Sequence, residues 1–194
     1  MTATFRQQAD EQIVDRAAAL FARHGFAQTS VQSVADAVGL SKAGLLHHFP
    51  SKQVLWDAVL SHAEALGQRA CDAVADLPVG GARDLRAVEV LVDVALSHPG
   101  LVALLLAPAT RGSDDTADAD TERVSDAALR AFGIDESTAE PERFVRVVGA
   151  LAALAVLSLA AAQAGTGAAR RAHVIATAYD ALGHARPRPD HVET

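Results

Sequence analysis

At 194 residues the chain has room for one or two domains, and half of it is hydrophobic, enough for a sizeable core. A single cysteine, Cys71, excludes an intramolecular disulfide and a CxxC metal site, fits a reducing compartment, and reads as a small buried hydrophobe. The net charge of −7 excludes a uniformly basic nucleic-acid binder, yet it is unevenly spread. Residues 1–52 hold Arg6, Arg16, Arg23, Lys42 and Lys52 against Asp10, Glu11, Asp15 and Asp36, a net of +1 that leaves −8 for the remainder. Phosphate contacts would therefore have to come from the near-neutral N-terminal part. Alanine and leucine dominate and aromatics make up 4%, which favours helix over strand.

A first helix is expected over 6–24, where Ile13, Ala17, Leu20 and Phe21 form an apolar stripe. Gly25 ends it, and Phe26 can fold back on its last turn. Thr29 has the form of an N-cap, with Gln32 completing a capping box, and Val31, Val34, Ala35 and Val38 recur at helical spacing. Gly39 stops this helix, Leu40 follows as an apolar plug, and Ser41 caps a second helix from Lys42 to His48 with Leu45 inward. Pro50 breaks the chain, and Ser51 caps a fourth helix, Lys52 to Ala75, with Leu55, Val59, Ala63, Leu66, Ala70 and Val74 on one face. At 1.5 Å per residue that helix spans roughly 36 Å, long enough to join two halves of the protein. Two short helices and a three-residue turn containing glycine make the helix-turn-helix pattern, although the same residues also suit an αα-hairpin in a helical core.

Beyond the break at Leu77-Pro78-Val79-Gly80-Gly81, a fifth helix is expected over Ala82–Ser97 and a buried one over Leu101–Ala107, closed by Pro108. The acidic run from Arg111 to Asp120 lacks the EF-hand spacing and reads as a loop leading into the acid-rich first turn of a helix that ends at Gly133-Ile134. Pro141 suits the first turn of the next helix, about 140–164, and a last helix covers 168–183, before a tail over 185–194 that is expected to be disordered. Val147–Ala169 is 23 residues without a charge. Its length would span a bilayer, but Gly165 and Gly167 break it and no second span exists, so a membrane location is not expected. Met1–Asp10 is polar, without the apolar run of a signal peptide, and a cytoplasmic location is expected. Neither a nucleophile–base pair, a phosphate-binding glycine loop nor a metal-ligand cluster appears at meaningful spacing, so no enzyme, metal or cofactor is expected.

The wider N-terminal pattern is more specific. Leu20-Phe21-Ala22-Arg23-His24-Gly25-Phe26 leads to Thr29, then Val34-Ala35-Asp36-Ala37-Val38-Gly39-Leu40-Ser41-Lys42, Leu45, His47-His48-Phe49, Ser51-Lys52 and Leu55, in order and without a gap. Over about the first 60 residues this resembles the DNA-binding domain of the TetR family of bacterial one-component repressors. The resemblance implies an all-α fold, with a three-helix helix-turn-helix domain over 1–52 joined to a helical effector-binding and dimerisation domain over 53–184. It further implies a homodimer on double-stranded DNA at a near-palindromic operator, from which a small molecule releases it by shifting the lever helix. That release requires the ligand to bind the DNA-free state more tightly. Activation in place of repression stays open.

The residue chemistry assigns Thr29, Ser41, His48 and Lys52 to phosphate, and Lys42, Ala43, Gly44 and His47 to the groove, with Lys42 able to read guanine. Two positions depart from the family pattern: Leu46 stands where a tyrosine is usual, and His48 where an aromatic is frequent. Trp56, His62, Leu66, His98, Leu105 and Arg111 are the candidates to line a largely apolar effector site, plain packing being the alternative for Trp56 and His62. The helix over 140–164 needs partners on all sides, so Leu151, Leu154 and Leu157, with Val174 and Ala178 of the last helix, are expected at a subunit interface forming a four-helix bundle.

Overall fold

Glycine stops and hydroxyl caps divide the chain much as the sequence indicates. The computed structural model describes residues 2–111, 126–135 and 140–184. The elements are α1 (Thr2–Gln28), α2 (Val31–Ala37), α3 (Lys42–His48), α4 (Lys52–Asp72), α5 (Gly81–Ser97) and α6 (Pro99–Arg111). They continue with α7, helical over 126–131, then α8 (Pro141–Gln163) and α9 (Gly167–Ala181). Among the described residues the fold is all-α. The acidic run after Arg111 and the tail over 185–194 lie outside them, as does the Arg111 side chain.

Gly25 interrupts α1 at φ 78° and ψ 162°, so the chain turns there although helical bonding resumes to Gln28. Gly39 and Gly133 adopt φ 71° and close their helices in the same way. The amide of the following apolar residue reaches back five positions, Leu40 to Ala35 at 2.9 Å and Ile134 to Leu129 at 3.1 Å. Pro108 does not end α6, which runs on to Arg111. Proline's fixed φ is itself helical, and it costs that helix one backbone bond.

Two apolar clusters form the core. The first joins α1, α2, α3 and the first half of α4 through Ile13, Phe21, Val34, Leu45, Leu55 and Val59, and takes in Leu101 and Leu104 of α6. The second joins the end of α4 to α5, α7, α8 and α9 through Ala70, Val88, Ala131, Val147 and Val174, with Val74 and Phe132 just past the ends of α4 and α7. Helices α4 and α6 therefore belong to both. The α1–α6 junction is close. A Cβ built on Gly100 would overlap the carbonyl oxygen of Asp15, and the Asp15 carboxylate accepts the amide of Leu101 at 3.0 Å. A side chain of α1 thus caps the start of α6.

In the second cluster Asp84 is fully buried and holds two partners. Arg143 of α8 donates to both its oxygens at 2.6 and 2.7 Å and to the carbonyl of Phe132 at 3.0 Å. His184, past the end of α9, lies 2.7 Å from Oδ2 and stacks on Tyr179. Cys71 is half-buried, its thiol donating to the carbonyl of Ala127.

Helix α8 places Val147, Ala150, Leu154, Ser158 and Ala161 inward. Its other side leaves Val145 68% and Val156 55% exposed, together with Val148 and Leu157. Three expected interface residues therefore need correcting. Leu154, Val174 and Ala178 are spent inside the protomer's own core, whereas Leu157 is exposed and Leu151 half-buried. By length and composition α8 could cross a bilayer, but its inward face is filled by packing against α5 and α9.

Candidate nucleic-acid interface

The second short helix, α3, is presented by its flanks. Ser41 caps it, its hydroxyl accepting the amide of Gly44 at 3.0 Å, and Phe49 follows it into the core. Among its seven residues only Leu45 is buried, at 1% exposure. Ser41, Lys42, Ala43 and His47 are exposed, and Leu46 and Gly44 are half-buried. Gly44 sits against its own cap, since a Cβ there would lie 3.3 Å from the Ser41 hydroxyl.

Helix α2 starts differently from the expectation. Ser30, not Thr29, is its N-cap, and the capping box closes with Ser33 instead of Gln32, at 3.0 and 3.1 Å. Thr29 is 2% exposed, and its hydroxyl donates inward to the carbonyl of Gly25 at 2.8 Å. The side chain is thereby withdrawn from any phosphate. Gln32 instead donates to Asp36 along the helix.

Two further phosphate candidates are tied to the protein. The ammonium of Lys52 donates to the carbonyls of Phe26 and Ala27 at 2.8 and 3.3 Å and lies 4.3 Å from the centroid of the Phe26 ring. It closes the end of α1, where unpaired carbonyls attract a cation. His48 turns back toward α1, with Nδ1 2.6 Å from the carboxylate of Asp10. Neither pairing has a local signature, because the partners stand 26 and 38 positions away in the chain.

Three of the ligand candidates share the first apolar cluster. Trp56 is buried in the first cluster, edge-on to Phe21 and Phe26 at 5.1 and 5.5 Å, and Leu66 is buried in the same cluster. Both pack in this core, and Leu105 packs partly buried against the same cluster. His62 and His98 do meet, with ring centroids 5.0 Å apart, but they border different clefts. Nε2 of His62 is buried without a hydrogen-bond partner.

Burial first, then His98, push the His62 pKa below its ordinary value of 6.5; Arg69 lowers it too, against Glu11 and Asp15. The folded protein thus holds His62 neutral where the unfolded chain already takes a proton. Stability from this group is present above pH 6.5 and lost as pH falls through and below that value. The melting temperature of the wild type should fall more steeply than that of His62→Gln between about pH 7.5 and about pH 5.5. Parallel curves would remove His62 as the cause.

Residues 13–59, spanning the end of α1 through the start of α4, match the family model for bacterial regulatory proteins of the tetR family. The match to the tetR family covers this N-terminal domain alone. The chain is 43% identical over 49 residues to the HTH-type transcriptional repressor KstR2 of Rhodococcus jostii (strain RHA1), covering 25% of this chain and 24% of that protein. It is 39% identical over 49 residues to KstR2 of Mycobacterium tuberculosis (strain CDC 1551 / Oshkosh), with the same coverage. The match spans about a quarter of the length of these curated relatives.

The tetR-family fold extends further than the sequence match. The TetR family regulator PfmR from Thermus thermophilus aligns over 91% of this chain and 96% of its own, at TM-score 0.56 and 22% identity. A TetR-like regulator from Rhodococcus sp. RHA1 aligns over 93% and 97%, at TM-score 0.59 and 19% identity. At these identities the C-terminal half shares architecture alone.

Proposed function

We propose that the protein is a homodimeric transcriptional regulator that reads DNA with α3. The observation that carries this reading is the solvent-facing surface of Ser41, Lys42, Ala43 and His47 on a capped two-turn helix, within a tetR-family domain. Lys42 offers the donor for a guanine edge or a phosphate, and His47 lies about one turn beyond Ala43. Ala43 lets the helix approach closely and contact a thymine methyl. Phosphate contacts fall to the Ser41 hydroxyl and to backbone amides at the starts of α2 and α3. The curated relatives are named repressors, which favours repression here. The C-terminal helices would receive a small, largely apolar effector.

Pairing of subunits fits the apolar outer face of α8. Val145, Val148, Val156 and Leu157 share it, and at Gly149 a Cβ would meet nothing within 4 Å. Two such faces related by a two-fold axis would cover each other and set the reading helices about 34–36 Å apart, one turn of B-DNA. Val156→Glu should convert the dimer to monomer in sedimentation while leaving the helical circular dichroism intact. A dimer that survives this change would move the interface elsewhere.

Selection of genomic fragments with purified protein tests the central reading, a recovered near-palindrome being the expected result. Lys42→Ala should weaken binding to that fragment by about 10- to 100-fold, the discrimination a single good base contact supplies. If Lys42 serves phosphate instead, the loss is uniform over sequences and the salt slope drops by about 0.9. Failure to enrich any fragment would sink the regulator assignment.

A further inference from the structure

A two-turn helix held by one buried side chain is free to roll unless its ends are fixed. The start of α3 is fixed by Leu40 and the Ser41 cap. At its last residue His48 bonds to Asp10 of α1 at 2.6 Å, with the two side chains 21% and 37% exposed. Among the described residues no other side-chain hydrogen bond runs from α3 to α1. An imidazole ring nitrogen at this position can donate to the carboxylate in one of its tautomers. Around it, Glu11, Asp15 and Arg16 of α1 and His98 at the α5–α6 corner line the same cleft of about 800 Å³. The adjacent Leu46 has no polar group with which to add a second tie.

We infer that Asp10 and His48 form a positioning clasp that sets the roll of the reading helix on α1, so that DNA recognition depends on a pair that does not touch DNA. This inference rests on the DNA-binding reading above. The clasp explains how a helix with one buried anchor presents Lys42 and His47 in a fixed direction. It acts on base readout, which requires alignment, and leaves the count of phosphate contacts unchanged.

The test measures affinity for the fragment selected by the wild type and for a scrambled duplex, each over a range of salt. The proteins are the wild type, Asp10→Asn, His48→Gln, the double variant, and Asp10→Glu as a restoring control. Melting temperatures verify that each is folded. Each single variant should lose about three- to tenfold in affinity for the selected fragment, and the double variant no more than either. Asp10→Glu should recover part of the loss. Affinity for scrambled DNA and the salt slope should not move.

A slope shallower by about 0.9 in His48→Gln, with Asp10→Asn harmless, would make His48 a phosphate contact and overturn the clasp. Unchanged selected-fragment affinity in all variants would overturn it equally. A wild type that selects no DNA overturns the DNA-binding reading and the clasp with it, an outcome separable from the others because it appears before any variant is compared.

Discussion

Asp84→Ala is expected to destabilise the protein by about 3 kcal/mol or more, lowering the melting temperature by roughly 10 °C. The aspartate is fully buried, and its removal strands the Arg143 guanidinium and His184 against an apolar core. The loss comes chiefly from the partner charge left without its counter-ion, since a paired buried charge is itself worth little. Asp84→Ala combined with Arg143→Met should therefore cost less than the sum of the two changes. Strict additivity in thermal or urea unfolding would show that Arg143 is held by the Phe132 carbonyl and solvent, and not by Asp84.

Gly100→Ala carries the second large effect, about 3 kcal/mol, at the upper end of the range for overpacking. The added methyl would overlap the backbone carbonyl of Asp15, which cannot rotate away as a flexible side chain would. Relief requires α6 to move off α1, and that movement also loosens the bond from Leu101 to the Asp15 carboxylate. Asp15→Asn keeps an acceptor at that position and should cost far less. A Gly100→Ala protein that melts with the wild type would mean that the α1–α6 spacing is looser than described.

The sequence legibly marks features decided within a few residues. Gly25, Gly39 and Gly133 stop helices because each must adopt a backbone conformation that favours glycine, and the next residue supplies the apolar contact. The exposure of Lys42, Ala43 and His47 follows from Leu45 taking the inner face. Thr29 and Ser30 show where locality fails. Both are adjacent hydroxyl residues able to cap α2, and burial of Thr29 beneath the α1 break decides between them.

Helix α8 fails for a different reason. It is apolar on two sides, so periodicity identifies no unique inner face, and Leu154 goes to the protomer while Val156 goes to the surface. Pairings such as Asp84 with Arg143, 59 positions apart, or Lys52 with Phe26 depend on how helices cross. A charged residue in a sequence shows its chemistry but not its counterpart.

The aromatic triad has a practical consequence. Trp56 is the single tryptophan of the chain and lies between Phe21 and Phe26, while the single tyrosine, Tyr179, is stacked on His184 in the other cluster. Each half thus contains its own natural chromophore. Selective excitation of indole would follow melting of the N-terminal half, and the near-ultraviolet signal of the phenol would follow the other half, in unlabelled protein. Coincident transitions would mark a single cooperative unit; separated ones would measure how independently the two halves come apart.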